Sequence, residues 1–542
     1  MNQSVENTIT DFYEMASKAS DQAYRLWEKA ANQETSNEDP SASIMNDFSK
    51  AFEELGDAFY RNPSKVVADQ VQLMQKQQAL FQSTALKFLG KETDAIIDPE
   101  KDDRRFKDSE WTDNAVFDFI KQLYLLQSKS LTDMVNDADG LSEKSRQKVD
   151  YFMRQYVSAL SPTNFPGLNP EVIRKTLETG GANLLDGMEQ LLADLDASQG
   201  GSLNVSMTDM TAFTVGRNVA TTEGKVVYQT DMMQLIQYSP TTDKVQKRPL
   251  LVVPPFINKY YILDLREKNS YLKWLVDQGH TVFCISWVNP GPALRDKGFE
   301  DYMLEGPVAA LDAIEKATGE KEVNAIGYCL GGTLLATTLS YLQKKKDERI
   351  KSATFLATLI DFKEPGEIGV FINDTAISAL EKQMNATGYF DGRAMAFSFN
   401  TLREKDLFWS FFINNYLKGE RPAAFDLLYW NSDSTNLPAA MHSYYLRNMY
   451  LHNKLQEKNG LELGGVKIDL SAVKVPTYFL STAQDHIAMW KGTYEGAQNF
   501  SGKTRFVLGG SGHIAGVINP PKANKYGYWT NDALPESADA WY

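Results

Sequence analysis

Cysteine is scarce in this chain. Among 542 residues there are two, Cys284 and Cys329. That is too few for a disulfide framework or a zinc cluster, and it suits a reducing compartment. Basic charge is in deficit as well. Lys and Arg number 56 against 70 Asp and Glu, a net charge of -14, which argues against general nucleic-acid binding because that needs a basic surface. No stretch approaches the roughly 18 apolar residues of a membrane span. The first residues, Met1-Asn2-Gln3-Ser4-Val5-Glu6, hold neither a basic region nor an apolar run, so no signal peptide is expected. These absences predict a soluble cytoplasmic protein, and the length allows two or more domains with a large core.

What is present is organised around Val323-Asn324-Ala325-Ile326-Gly327-Tyr328-Cys329-Leu330-Gly331-Gly332-Thr333. It reads as a buried strand, a tight turn and a helix start, with a cysteine at the apex of G-x-C-x-G. This is the nucleophile-elbow pattern of α/β-hydrolases with sulfur in place of the serine oxygen. Side chains at Gly327 and Gly331 would collide with the neighbouring strand and helix. The following helix points its N-terminus at the sulfur, which favours a thiolate.

The rest of the chain falls into three parts: a variable helical segment over 1–92, a helical N-terminal domain over 93–205, and a catalytic domain over 206–542. In the first part, helical spacing predicts helices over Asp11–Ala31 and Ser64–Leu89, separated by a linker at Asn32–Ser43. In the second, Asn169-Pro170-Glu171 is a helix start, with Asn as cap and Pro at the first helical position. A Gly/Ser break follows at Ser198–Ser202. Then the period becomes strand-like. Lys225–Tyr238 suits two leading strands. Short apolar runs at Leu250–Val253, Thr281–Trp287, Val323–Ile326, Ala353–Ala357, Thr477–Leu480 and Arg505–Leu508 alternate with helices near Ser270–Gln278, Gly306–Thr318 and Gly332–Lys344. Such alternation means crossovers and a mostly parallel sheet with flanking helices. The aromatic-rich stretch at about 362–472 is too long for a loop and is expected to be an inserted helical cap.

A cysteine nucleophile needs a base and a group that orients the base, and in this fold the chain order is nucleophile, acid, histidine. Of the five histidines, His513 alone lies in a glycine-rich loop directly after the last strand. His280 precedes a strand at the wrong edge, and His442 and His452 are expected in structural or surface roles. Asp485, after the penultimate strand, is the candidate acid, with Asp361 as the fallback. His486, beside Asp485, and Asp264, in the stretch after the first parallel strand, are supporting candidates. The backbone amides of Leu330 and of Ile257, in the Pro254–Tyr261 loop, are candidates for the oxyanion hole. Cys284 reads as a small core residue. No metal or cofactor is expected.

Longer stretches resemble class I polyhydroxyalkanoate synthases, the single-subunit type. They include Val253-Pro254-Pro255-Phe256-Ile257-Asn258-Lys259-Tyr260-Tyr261-Ile262-Leu263-Asp264-Leu265, Gly327–Thr333, Phe425-Asp426-Leu427-Leu428-Tyr429-Trp430-Asn431, Asp485-His486-Ile487 and Gly512-His513-Ile514-Ala515-Gly516-Val517-Ile518-Asn519-Pro520-Pro521. The resemblance implies an acyltransferase that polymerises (R)-3-hydroxyacyl-CoA into a polyester with release of CoA, the thioester being substrate and not cofactor. It puts the nucleophile on Cys329, the acid on Asp485 and the histidine on His513. It also implies a homodimer at the surface of polyester granules, with Trp409 near the dimer contact. The first hundred residues match poorly, and the chain stops at Trp541-Tyr542, before the Trp-rich tail usual in the family. The competing readings are a thioesterase or polyester depolymerase on the same scaffold, or a granule-surface protein with a relic site.

Overall fold

The computed structural model describes residues 40–101, 103–198 and 203–542. The helix expected over Asp11–Ala31, most of the Asn32–Ser43 linker and residues 199–202 of the Gly/Ser break lie outside the described residues. The chain forms two compact units: Met1–Asp209 with Phe399–Ala423, and Met210–Ser398 with Ala424–Tyr542.

The first unit is helical. Its main helices are α1 (Pro40–Arg61), α2 (Pro63–Phe88), α3 (Ala115–Asn136), α4 (Glu143–Ala159), α5 (Pro170–Thr179) and α6 (Ala182–Ala197). The last four residues of the expected linker are the first turn of α1, where Pro40 stands at a position that has no amide to bond in any case. Several starts carry side-chain caps. Asn62 accepts from the Lys65 amide, and Asn169 accepts from the amides of Glu171 and Val172, satisfying donors that no helical carbonyl can reach. Ala51, Leu55 and Ala58 of α1 are buried with Val135 and Val149. On α2, Leu80 is buried while Val67, Val71, Met74, Phe81 and Phe88 stay exposed.

Residues 399–423, within the stretch expected as a cap, belong to this helical unit. The attachment is close. A Cβ on Gly187 would stand 2.0 Å from the Tyr416 carbonyl oxygen, so only glycine admits the approach. Asn183 Nδ2 donates to the Leu417 carbonyl at 2.8 Å, and the Tyr416 hydroxyl donates to Asp194 at 2.5 Å.

The second unit is built on a nine-stranded sheet. Its strands are β1 (Gly224–Gln229), β2 (Met233–Tyr238), β3 (Leu250–Val253), β4 (Val282–Trp287), β5 (Val323–Tyr328), β6 (Ile350–Leu356), β7 (Thr477–Thr482), β8 (Thr504–Gly509) and β9 (Tyr528–Thr530). The spatial order is β1-β2-β4-β3-β5-β6-β7-β8-β9. From β4 to β8 neighbouring strands run parallel; β1, β2 and β9 are antiparallel at the two edges. Helices α7 (Tyr271–Asp277), α8 (Ala309–Thr318) and α9 (Leu330–Lys345) supply the crossovers.

The sheet is covered on both sides, and the period of two sorts its side chains. Leu251 and Val253 of β3, with Phe283 and Ile285 of β4, enter one core cluster, together with Leu334, Leu335 and Leu339 of α9. Leu250 and Val252, with Val282 and Cys284, enter the other. Burial on both faces is why these strands read as continuous apolar runs. Cys284 is fully buried, as expected of a core residue. The final strand β9 is exposed along its whole length and left no periodic signal in the sequence.

Candidate active site

The elbow forms where the sequence places it. Strand β5 ends at Tyr328, α9 begins at Leu330, and Cys329 between them has φ 51° and ψ −123°. A positive φ in a residue with a side chain costs on the order of 1–3 kcal/mol and persists where the surroundings over-determine it. Three glycines do so by their size. A Cβ on Gly327 would lie 2.5 Å from the Gly332 Cα, one on Gly331 would lie 2.1 Å from the Val253 carbonyl oxygen, and one on Gly332 would lie 2.0 Å from the Thr358 hydroxyl. The Cys329 amide donates to the Leu356 carbonyl at 2.9 Å, which locks the turn to β6.

The acid and the histidine come from the same edge. Asp485 lies three residues beyond β7, and His513 follows β8 through Gly510-Ser511-Gly512. The two loops are joined by the Gln484 amide, which donates to the Ser511 carbonyl at 2.9 Å. His513 Nδ1 and Asp485 Oδ2 are 2.7 Å apart. The other carboxylate oxygen accepts from the amides of Ile487 and Ala488, both at 2.9 Å, and Oδ2 also accepts from the Thr482 hydroxyl at 3.2 Å. Burial raises the carboxyl pKa, but the His513 ring and these donors outweigh it and hold the group below the usual carboxylate range.

For His513, burial disfavours the imidazolium. The Asp485 carboxylate and the Cys329 sulfur, which is within hydrogen-bonding reach of the ring, reverse this and hold its pKa well above the ordinary value. Tyr328 holds the histidine from below. Its hydroxyl donates to the His513 carbonyl at 3.2 Å, and the two rings stack with centroids 5.7 Å apart. The sequence reading passed over Tyr328; the signal was a buried phenol within an otherwise apolar strand end.

The two oxyanion candidates lie at the start of α9 and in the loop after β3. Leu330 is the first residue of α9, so its amide has no helical acceptor. Ile257 lies in a loop fixed at several points: the Trp287 indole donates to the Pro254 carbonyl at 3.0 Å, the Trp430 indole to the Lys259 carbonyl at 2.8 Å, and the Tyr261 hydroxyl to Asp433 at 2.7 Å.

Other expected groups are placed elsewhere. Asp361 accepts from Asn453 Nδ2 at 2.7 Å and from the Lys363 amide at 2.9 Å; the carboxylate at His513 is Asp485. Asp264 is buried and accepts from the hydroxyls of Thr222 at 2.5 Å and Ser270 at 2.6 Å, a clasp that ties the chain before β1 to the start of α7. His486 follows Asp485 in the same turn and is half-buried. His442 is buried against Phe390, ring centroids 4.9 Å apart, and burial lowers its pKa to about 3. His452 is exposed, and His280 lies in the turn before β4. Trp409 is half-buried against Phe408 and Phe412 in the helical unit. Among the described residues no group of three or more His, Cys, Asp or Glu is arranged to hold a metal ion, and no helix is long and apolar enough to cross a membrane.

Fold, elbow and loop order define an α/β-hydrolase-fold protein with sulfur at the nucleophile position, and a model of the alpha/beta hydrolase fold matches residues 267–520. A second model, the poly-beta-hydroxybutyrate polymerase (PhaC) N-terminus, matches residues 102–275. The chain is 49% identical to a poly(3-hydroxyalkanoate) polymerase of Methylorubrum extorquens over 92% of its own length and 82% of that relative. It is 47% identical to the poly(3-hydroxyalkanoate) polymerase subunit PhaC of Rhizobium meliloti, covering 93% of this chain and 82% of that one. The subunit PhaC of Cupriavidus necator is 42% identical, covering 81% and 74%. The chain belongs to the poly(3-hydroxyalkanoate) polymerase family.

Proposed function

We propose that Cys329, His513 and Asp485 carry out the polymerisation of (R)-3-hydroxyacyl groups delivered as CoA thioesters. Family membership makes the chain a polymerising acyltransferase with a CoA-thioester substrate and a polyester product. The observation that supports the residue assignment is the ordered set at the sheet edge: a sulfur on a strained turn, an imidazole in reach of it, and a carboxylate 2.7 Å from the far ring nitrogen.

The Cys329 thiolate attacks the thioester carbonyl, and the amides of Leu330 and Ile257 receive the oxyanion. The carbon–sulfur bond to CoA breaks, and His513 gives its proton to the departing CoA thiolate. One thioester replaces another, so the acyl group on Cys329 keeps its activation. Acylation also removes the negative sulfur that helped to hold the His513 proton, which leaves a neutral imidazole able to act as base. It takes the proton from a 3-hydroxyl, of a further monomer or of the growing chain, as that oxygen attacks the acyl-Cys329 carbonyl. An ester forms, the thiolate is restored, and the cycle repeats. Phe299 and Phe362, each packed against Tyr445 in the core cluster that Cys329 adjoins, help to keep water from competing.

Homodimerisation and residence at a polyester granule belong to the same proposal. They are supported by the family resemblance and by the exposed apolar side chains of α2. The test of the central assignment is Cys329→Ala with 3-hydroxybutyryl-CoA, following CoA release and product mass. No CoA release and no polymer are expected; substantial release would overturn the assignment. Free hydroxy acid in place of polymer from the unaltered enzyme would instead point to a hydrolase.

A further inference from the structure

The loop that carries Ile257 is fixed at one end by the sheet and at the other by the insert between β6 and β7. At the sheet end, Val253 and Pro254 pack so closely on Gly331 that a Cβ there would stand 2.1 Å and 2.5 Å from their carbonyl oxygens. Phe256 is fully buried, its ring 4.6 Å from that of Tyr302 and 5.9 Å from that of Trp287. At the other end, Asn258 forms an antiparallel bridge with Ser434, just beyond the helix Asp426–Ser432. Ile257 stands between the two anchors. It packs against the core cluster that Cys329 also adjoins, and among the described residues its amide donates to no backbone carbonyl.

The anchor on the insert is more than one bridge. The Lys259 ammonium donates to the Thr435 hydroxyl at 3.2 Å and to the Ser434 carbonyl at 3.4 Å, and Asp433 Oδ1 lies 3.7 Å away. One ammonium thus faces three oxygens of the insert. The Tyr261 hydroxyl donates to the other Asp433 oxygen at 2.7 Å, and the Trp430 indole to the Lys259 carbonyl at 2.8 Å. The Lys259 and Asp433 side chains are 22% and 33% exposed, so salt screens the pair less than it would at the open surface. The same segment is tied onward: the Asn436 amide donates to Asn289 Oδ1, after β4, at 2.9 Å, and Asn436 Oδ1 accepts from the Gly392 amide at 3.0 Å. These ties bear on one N–H. The peptide between Phe256 and Ile257 is planar, so its N–H turns only by rotation about the bonds at its two ends. The core holds the Phe256 end; the Ile257 end is held only as far as Asn258, Lys259 and Tyr261 are held on the insert.

We propose that Lys259 and Asp433, with Tyr261, are positioning residues that aim the Ile257 amide at the oxyanion, so that acyl transfer requires this segment of the insert to be docked on the loop. The inference rests on Ile257 as an oxyanion donor and on Cys329 as the nucleophile. A donor aimed at developing charge contributes only from its proper place, and loss of one costs about 10²–10³ in rate. A donor left in place but poorly aimed costs part of that. Neither Lys259 nor Asp433 needs to touch the thioester for this.

The test sets two reactions of the same sulfur side by side. Acylation by 3-hydroxybutyryl-CoA, measured by rapid quench as CoA released in the first turnover, develops an oxyanion. Alkylation by iodoacetamide forms a carbon–sulfur bond as iodide leaves and develops none; it is followed by mass as label on Cys329. Lys259→Met and Asp433→Ala are each expected to slow acylation about 10- to 100-fold and to leave alkylation within about twofold of the unaltered enzyme. Tyr261→Phe keeps the buried ring and is expected to show the same pattern more weakly. It decides the matter if the other two variants unfold, which label on the fully buried Cys284 would reveal. Equal slowing of both reactions would mean a general packing role and would overturn the proposal, as would acylation at the unaltered rate. Ile257→Pro removes the amide hydrogen; if it left the ratio of the two rates unchanged, the oxyanion assignment itself would fall. Persistence of first-turnover CoA release in Cys329→Ala would indict the nucleophile assignment instead.

Discussion

Replacing Asp485 by asparagine separates the electrostatic role of the acid from its shape. The carboxylate now accepts four hydrogen bonds: from the His513 ring at 2.7 Å, Thr482 at 3.2 Å, and the amides of Ile487 and Ala488 at 2.9 Å. An amide has one oxygen. If that oxygen faced His513, the two backbone amides would lose their acceptor and meet a donor, at a cost of about 2–6 kcal/mol for two buried groups. The oxygen will therefore stay on the backbone amides, and the amide nitrogen will face His513 Nδ1. That forces the other tautomer, with Nδ1 as acceptor and the proton on Nε2, which faces the sulfur and can no longer take a proton from it. The loss of the buried negative charge also lowers the imidazole pKa, since that charge is the larger of the two that hold it up. Turned tautomers in triads of this kind cost about 10⁴ in rate, or roughly 5 kcal/mol of barrier. We expect kcat/KM for CoA release to fall by about 10³–10⁴ at neutral pH, with partial recovery as pH rises past about 8.5, where a free thiol ionises unaided. Retention of more than about a tenth of the activity at neutral pH would refute this reasoning, and so would an equal loss in Asp361→Asn.

Two further outcomes follow from the same geometry. Because Asp485 and the Cys329 sulfur keep His513 protonated well above its ordinary value, the rate of the first acylation should be flat through the ordinary imidazole range near pH 6.5; single-turnover rates showing an inflection there would contradict the pairing. Gly331→Ala puts a Cβ 2.1 Å from the Val253 carbonyl, a backbone atom in the middle of the sheet, and should destabilise the fold by about 3 kcal/mol or more. Gly180→Ala, at φ 61° with open space around it, should cost only about 1 kcal/mol, and denaturant unfolding of the two variants gives the comparison.

The parallel sheet and the site were legible because each functional group is tied to the end of a strand. An apolar run, a turn and a chemically distinctive residue stand together at Cys329, Asp485 and His513, and chain order then supplies their spatial order. What escaped the sequence is held by contacts distant in the chain. Nothing local in Phe399–Ala423 distinguishes it from the rest of the aromatic stretch; it belongs to the helical unit because Gly187 makes room for the Tyr416 backbone and Asn183 and Asp194 bind it. The linker composition around Pro40 hid a helix start, since proline and serine favour a first turn as readily as a loop. The π-helical turn Leu446–Leu451 has no periodic signature, so the aromatic residues counted there gave no hint that the rings of Tyr445 and Tyr450 meet edge to face, centroids 5.3 Å apart.

The placement of Tyr328 has a consequence for how precisely the site is held. This residue is bonded to Cys329 through the chain and grips His513 through both its hydroxyl and its ring. The Cys329 sulfur and the His513 imidazole are therefore linked through one residue, by the chain on one side and by contact on the other. A change at Tyr328 therefore acts on the surroundings of both groups at once, without altering either side chain.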